Sequence, residues 1–570
     1  MRSKIIVFMF AAFFLFLAAY LFNAQIINGG KFRDLSNKNC IRLIPKSGSR
    51  GKILDRNNAI IAGNLLAYDV MVMPKDSWEL EASLDKLSKI LNTDPNVLEK
   101  RFQEGYGSPG APVSVARRVP VKKALAVEEE KGGAGGIIVH AYPVRYYPFG
   151  SMASHVLGYL SEIDHWRLAE LEEYGYKTKD IVGFGGIEEK YDYYLRQEDG
   201  GLSVEVDRKG KMVRVIGFKP PQSGKNVQLT IDSRLQQIAE DVLKEKKGAV
   251  VLMNPYNGEI LALASSPDFS PSVFVEKNQS VIQGLFSSRS SPLMNRAISA
   301  TYPPGSVFKL VVAAAGLETA KINKSQTFEC TGSVIVGQQE FACNGVHGLQ
   351  NMQDAIAHSC NSYFYRLGLL LGPQIIHDYA VKFGFAVSSG IELPYESAGL
   401  IPSPVWKKIH RFRSWFDGDT ANFAIGQGDV LVTPLQVARM VAVFANQGKL
   451  VQPVIIKAID GKNVAQYHSN IHETHLKVST IEDIREGMRA VVQDARGTAN
   501  MLNSLPVPIA GKTGTAQASG GAPHGWFAGF FPYTNPRFVM CVFLERGGSG
   551  AEASRAAKEI IEKMVEQNLI

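Results

Sequence analysis

Cysteine is scarce in this chain. Five residues in 570, an odd number, exclude a fold held together by a disulfide framework. Runs of basic residues are missing as well. The formal net charge is +8 and the isoelectric point about 9.0, yet Lys and Arg are scattered and no nucleic-acid motif occurs. The basic balance is therefore a mild surface bias, and nucleic acid is set aside as a partner. No internal repeat of fixed period is found, which excludes solenoids and propellers. What remains is 45% hydrophobic and 20% charged, ordinary for folded protein. The length is too great for one core and suits roughly two to four domains.

One absence of charge is local. Arg2 and Lys4 precede the apolar stretch Ile5–Phe22, and no charged residue follows until Lys31. A bilayer is spanned by about 20 apolar residues in a helix. A short basic N-terminus stays in the cytoplasm, so the rest of the chain is expected on the outer side. A cleavable signal peptide is the alternative, but Leu17 and Phe22 fall where small residues belong before a cleavage point.

Past this span, Arg50-Gly51-Lys52-Ile53-Leu54-Asp55-Arg56-Asn57 opens a turn-rich region, and residues 75–104 show helical apolar spacing. Glycine-rich breaks follow at Gly105–Pro112 and Lys131–Gly136, then an amphipathic stretch, Ile187–Leu195, framed by glycines. The region holds few catalytic clusters and reads as a pedestal. Near residue 215 the character changes. Val227–Asp232 predicts a strand leading into a helix over Arg234–Lys246, capped by Asp232 or Ser233. Hairpins are predicted from Ala249–Met253 with Glu259–Ala264 and from Gly525–Pro532 with Phe538–Glu545, and a last amphipathic helix from Ser554 to Gln567. Strands at both ends of a helical middle predict one sheet closed by distant segments.

Three short motifs carry chemistry. Ser306-Val307-Phe308-Lys309 follows Tyr302-Pro303-Pro304-Gly305 and precedes the apolar run Leu310–Leu317. This context places Ser306 at a helix N-terminus with Lys309 one turn on. A serine hydroxyl is a weak nucleophile until a neighbouring base takes its proton, and a buried lysine can serve. The same spacing recurs at Ser49–Lys52 and Ser83–Lys86 without that context, and a capping role for Ser306 is the plain alternative. The second motif, Ser359-Cys360-Asn361, lies in a stretch read as helical from Met352 to Leu370, where a break would aim its polar pair at a cleft. The third, Lys512-Thr513-Gly514-Thr515, precedes the last hairpin, and its glycine suits close approach of a ligand backbone to an edge strand.

This order of motifs, with gaps of 53 and 153 residues, resembles penicillin-binding proteins and serine β-lactamases. The Arg50–Asn57 segment, Tyr147-Pro148-x-Gly150, His155, Gly158-Tyr159, Leu293–Ala297, Gly426-Gln427-Gly428 and Thr433-Pro434-Leu435-Gln436 resemble the class B penicillin-binding proteins. Arg42-Leu43-Ile44-Pro45 and Trp415–Asp419 look like the elongation branch of that class. Cys360 stands where β-lactamases usually have Asp, and neither a Glu-x-x-Leu-Asn deacylation motif nor a Glu-Asp-x-x-Phe glycosyltransferase motif is found.

The resemblance implies an α+β protein. Residues 1–24 would form the cytoplasmic tail and transmembrane helix, 25–225 an elongated pedestal of the dimerisation type, and 226–570 a transpeptidase domain with an antiparallel sheet packed by helices. It implies acyl transfer: Ser306 attacks the carbonyl between the terminal D-alanines of a peptidoglycan stem peptide, with Lys309 as base. Ser359 and Asn361 relay the proton and hold the substrate amide, and Lys512, Thr513, Gly514 and Thr515 bind its carboxylate. Backbone N–H groups of Ser306 and Thr515 form the oxyanion hole. β-Lactams, which mimic the D-Ala-D-Ala end, acylate the same serine. The implied partner is a SEDS-family, RodA-like membrane glycosyltransferase. Competing outcomes are a D,D-carboxypeptidase or β-lactamase, with water as acceptor, and a non-catalytic scaffold or sensor.

Cys330, Cys343, His347 and Cys360 are separated by 12, 3 and 12 residues. Three thiolates and an imidazole make a complete tetrahedral zinc set, and the elongation branch sometimes carries a metal here. A Cys330–Cys343 disulfide or unpaired thiols are the alternatives. Acyl transfer itself requires no cofactor. Cys541 reads as a buried strand residue, and Cys40 has no assigned role.

Overall fold

The computed structural model describes residues 2–73, 77–107, 112–130, 136–206, 212–464 and 471–570. Helix Arg2–Phe22 continues into a wider π turn at Asn23–Ile27. An 18-residue stretch within Ser3–Ile27 has a mean hydropathy of 2.7, and this helix is long and apolar enough to cross a membrane.

The folded chain divides into two compact units that interleave in sequence. One comprises residues 1–51, 64–145 and 196–224; the other comprises 52–63, 146–195 and 225–570. Residues 52–63 and 146–195, which lie within the span expected for the pedestal, cluster with the C-terminal unit.

In the first unit, strand Ile41–Lys46 pairs antiparallel with Gly200–Val206, which pairs antiparallel with Met212–Lys219. A separate small core gathers Val70, Leu87, Leu98, Phe102 and Val115. The helix expected over 75–104 is two helices, Ser77–Leu91 and Pro95–Gly105. Asn92 takes a left-handed φ of 54°, and Asp94 caps the second helix by accepting from the Asn96 N–H, with Pro95 in its first turn. Turn chemistry has overridden a continuous apolar period.

The second unit holds the large core. Five antiparallel strands run in the order Ile260–Ser266, Gly248–Met253, Phe538–Leu544, His524–Phe531, Ala510–Ala516. Every residue of the three strands Gly248–Met253, Phe538–Leu544 and His524–Phe531 is buried, including Cys541, so they read as apolar runs rather than alternating ones. Helices Ser233–Leu243 and Gly550–Glu566 touch each other and pack on this sheet, as does helix Pro434–Ala445, every residue of which is buried. Asp232 caps the first of these by accepting from the Arg234 N–H. The last begins four residues earlier than predicted because the Ser549 hydroxyl caps it.

The Asp55–Asn57 turn docks in the same unit. The Ser233 hydroxyl donates to Asp55 Oδ2 at 2.8 Å, and Asn57 Nδ2 donates to Asp232 Oδ2 at 3.1 Å. Helix Lys309–Glu318 runs through the core with residues 309–316 all buried. An apolar surface all round is what such a position demands. The amphipathic stretch at Ile187–Leu195 forms two short helices, Gly186–Lys190 and Asp192–Leu195.

Candidate active site

Ser306 does not cap the long helix. It lies in a 3₁₀ turn, Gly305–Phe308, and Lys309 is the first residue of the α-helix. Gly305 opens the turn at φ 55°. A Cβ there would meet the Thr515 carbonyl oxygen at 2.6 Å, so only glycine lets the nucleophile turn lie against the Lys512–Thr515 strand. Gly305 N–H donates to the Gly426 carbonyl, and Gln427 Nε2 donates to the Thr515 carbonyl. The Gly426-Gln427-Gly428 segment therefore ties turn to strand, a role the sequence had not suggested.

The stretch read as one helix from Met352 to Leu370 is broken at the second motif. Helix Met352–Ala357 stops, Ser359 takes a left-handed φ of 55°, and Cys360 caps the next helix, Asn361–Lys382. A non-glycine residue in this region costs about 1 kcal/mol, and such strain concentrates at functional sites. Here it turns Ser359 and Asn361 toward the lysine.

Lys309 is fully buried. Its Nζ donates to the Ser359 carbonyl at 2.7 Å, to Ser359 Oγ at 3.3 Å and to Asn361 Oδ1 at 2.7 Å. All three acceptors are neutral. Burial pulls the ammonium down to about 7, opposed by the neighbouring Cys360 and Cys343 thiols. Lys512 is also fully buried and donates to the Thr513 carbonyl; burial and then the Lys309 charge push it well below the usual lysine range.

Ser306, Ser359, Asn361, Thr513 and Thr515 line one cleft of about 630 Å³. Lys309, Lys512 and Gly514 lie behind that lining. A Cβ on Gly514 would meet the Pro304 carbonyl at 2.9 Å, so this glycine serves strand-to-turn packing. Thr513 Oγ1 donates to Thr498 Oγ1 at 2.7 Å, and Thr515 Oγ1 accepts from the Gly550 N–H at 3.0 Å. Thr498, Gln427 and Tyr365 also line the cleft, and no local motif marks the first or the last of them.

Beside the site, the sulfurs of Cys330, Cys343 and Cys360 and a nitrogen of His347 all lie within 4.8 Å of one another. His347 Nδ1 is 3.4 Å from Cys330 Sγ and 3.6 Å from Cys343 Sγ, and the Cys343 and Cys360 sulfurs are 3.9 Å apart. The three cysteines are free thiols. The hydrogen bond from Cys360 pulls the Cys343 thiol down to about 3, while that pairing and burial push Cys360 up. The Asn361 N–H also donates to Cys343 Sγ at 3.1 Å, which ties the cluster to the second motif.

Comparison with known proteins agrees with this geometry. Residues 248–566 match the penicillin binding protein transpeptidase domain family, and residues 45–229 match the penicillin-binding protein dimerisation domain family. The chain belongs to the penicillin-binding proteins. A peptidoglycan D,D-transpeptidase MrdA from Acinetobacter baumannii is 32% identical, over 95% of this chain and 84% of that protein. The MrdA of Escherichia coli K12 is 30% identical, over 96% of this chain and 91% of that protein. Among solved structures, a penicillin-binding protein (PBP2) from Helicobacter pylori, determined in complex with MreC, superimposes with a TM-score of 0.81 at 28% identity. That match covers 93% of this penicillin-binding protein and 99% of the other chain. A chain from a peptidoglycan synthase complex coordinating polymerization and crosslinking superimposes with a TM-score of 0.77 at 29% identity, over 99% and 98% of the two chains.

Proposed function

We propose that this penicillin-binding protein is a peptidoglycan D,D-transpeptidase of the cell-elongation type, acting through a Ser306 acyl-enzyme. The observation that carries this reading is the Lys309 side chain. It is buried one helical turn from Ser306, held by Ser359 and Asn361 through neutral acceptors, and brought to about 7 by burial. A lysine so held is half amine near neutral pH and suits general-base work.

The Ser306 proton passes to the Lys309 amine as Oγ attacks the carbonyl carbon between the two terminal D-alanines. Backbone N–H groups of Ser306 and Thr515 receive the developing oxyanion, each worth about 3 kcal/mol in sites of this kind. The C–N bond breaks, and the proton moves through Ser359 to the departing D-alanine. Lys512, Thr513, Gly514 and Thr515 hold the substrate carboxylate, and Asn361 its amide. An amine from a neighbouring stem then attacks the ester carbonyl and restores Ser306. β-Lactams stop at the acyl-enzyme.

Residues 1–24 anchor the protein with its N-terminus in the cytoplasm and residues 226–570 on the outer side, and 25–225 serve as pedestal. The partner is a SEDS-family, RodA-like glycosyltransferase, an assignment supported by the likeness to a chain of a peptidoglycan synthase complex. Cys330, Cys343, His347 and Cys360 fit a structural zinc ion: the donor set is tetrahedral in type, already gathered, and contains an acidic thiol. Bound there, zinc would brace the Ser359–Asn361 segment through Cys360 and take no part in acyl transfer.

Intact-mass spectrometry after incubation with benzylpenicillin tests the reading. The full-length protein gains the mass of one drug and Ser306→Ala gains none. Folded wild-type protein without adduct, or with an adduct that vanishes as hydrolysed drug accumulates, would refute it.

A further inference from the structure

Of the described residues that line the cleft, Glu340 alone bears a charge. It stands on strand Gln339–Ala342, exposed and paired across the hairpin with Ile335. The hairpin is fixed over the site by the first turns of helix Asn361–Lys382. Asn361 Nδ2 and the Tyr365 hydroxyl both donate to the Ala342 carbonyl, and Phe341 packs edge-on against Tyr365 at 5.5 Å between ring centroids. The acylation half-reaction assigns a task to Ser306, Lys309, Ser359, Asn361, Lys512 and Thr513, and none to a carboxylate. A negative charge here would repel the donor's own carboxylate, so its counterpart is the other substrate. That substrate is an amine, and a free amine is an ammonium at neutral pH.

We infer that Glu340 is an acceptor-binding residue: its carboxylate draws the incoming ammonium group to the rim of the cleft and so favours transfer over hydrolysis. The inference rests on the Ser306 acyl-enzyme reading. In the step it serves, the bound ammonium gives one proton to solvent and its nitrogen forms a bond to the ester carbonyl carbon. The carbonyl–Oγ bond then breaks, and the second proton from nitrogen goes to Ser306 Oγ. The products are an amide, the free serine and one released proton. An exposed carboxylate acts through a modest, salt-screened attraction, so the effect falls on acceptor KM and fades at high ionic strength.

The test uses full-length protein in detergent, a D-alanyl thioester donor, and two acceptors. Glycinamide carries a cationic amine, whereas hydroxylamine is neutral under the same conditions. Glu340→Gln is expected to raise the KM for glycinamide about threefold to tenfold relative to that for hydroxylamine. Glu340→Lys should raise that ratio further, Glu340→Asp should restore most of it, and added salt should move the wild type toward Glu340→Gln. Melting temperatures confirm that each variant is folded. An acceptor KM ratio equal in wild type, Glu340→Gln and Glu340→Lys overturns the inference while leaving Ser306 in place. Failure of the wild type to form any acyl-enzyme overturns the Ser306 reading, and this inference with it.

Discussion

The acylation rate of this penicillin-binding protein should titrate with Lys309. A lysine in water loses its proton near pH 10.4, so at pH 7 only about one molecule in three thousand carries the free amine. Burial brings Lys309 to about 7, where about half of the molecules carry it. The base is active in its neutral form. The second-order rate constant for benzylpenicillin acylation should therefore rise about tenfold per pH unit on the acid side and level off above about pH 7. The same structure offers a way to move the inflection. Asn361 Oδ1 lies 2.7 Å from Lys309 Nζ, so Asn361→Asp places a carboxylate against it with almost no change in shape. An adjacent opposite charge favours the ammonium by about 1–3 pH units. The variant's inflection should move alkaline by that amount, and its rate at neutral pH should fall by about fivefold to five-hundredfold. Rapid-quench mass spectrometry across about pH 6 to 9 reads both profiles. A wild-type profile flat through neutrality, or an Asn361→Asp inflection that stays put or moves acidic, would refute Lys309 as the base.

Other expectations follow from packing. Arg296 is buried, donates from Nε to Glu545 at 2.8 Å, and donates from its two terminal nitrogens to the Ser291 and Ser290 carbonyls. Arg296→Met should cost about 3 kcal/mol in denaturant unfolding, because it leaves Glu545 without its cation; a loss below about 1 kcal/mol would show the pair to be dispensable. Gly514→Ala must push the strand away from the Pro304 carbonyl and Trp526. Benzylpenicillin acylation should slow about a hundredfold in a protein that still melts cooperatively; an unchanged rate would mean that the strand position is not critical. Anaerobically purified protein should contain about one zinc per chain, and Cys343→Ser should lose it with a lower melting temperature. Metal near zero, with Cys330 and Cys343 linked in peptide mapping, would end the zinc assignment.

Residues whose chemistry needs a fixed spacing were legible in the sequence. Lys309 follows Ser306 by one turn whether that turn is α or 3₁₀, so the pair survived an error in the local helix type. The hairpins flanking Asn254–Gly258 and Tyr533–Pro536 were legible because their turns are built from residues with strong turn preferences. A break in Met352–Leu370 was foreseen as the way to aim the second motif at a cleft, but its seat at Ser359 was not, since a serine in the left-handed region leaves no compositional trace; the strain is imposed by tertiary contacts. Thr498 was invisible for a related reason: it reaches Thr513 through the fold and not through any local pattern. The interleaving of the two units was hidden too, because nothing in residues 146–195 themselves says which unit they pack in.

The closure of the main sheet bears on how the protein is made. Gly248, in the first strand of that sheet, lies opposite Leu544 in the last, and Ala510–Ala516, with the third motif, forms the edge beyond His524–Phe531. Pairing of such distant segments is slow to form and cannot begin until the last strand has left the ribosome. The Ser306–Lys309 turn and the Ala510–Ala516 strand therefore remain apart until synthesis is complete. The cleft is assembled only in the completed domain, so a truncated or stalled chain carries each motif up to its break and still lacks the cleft that joins them.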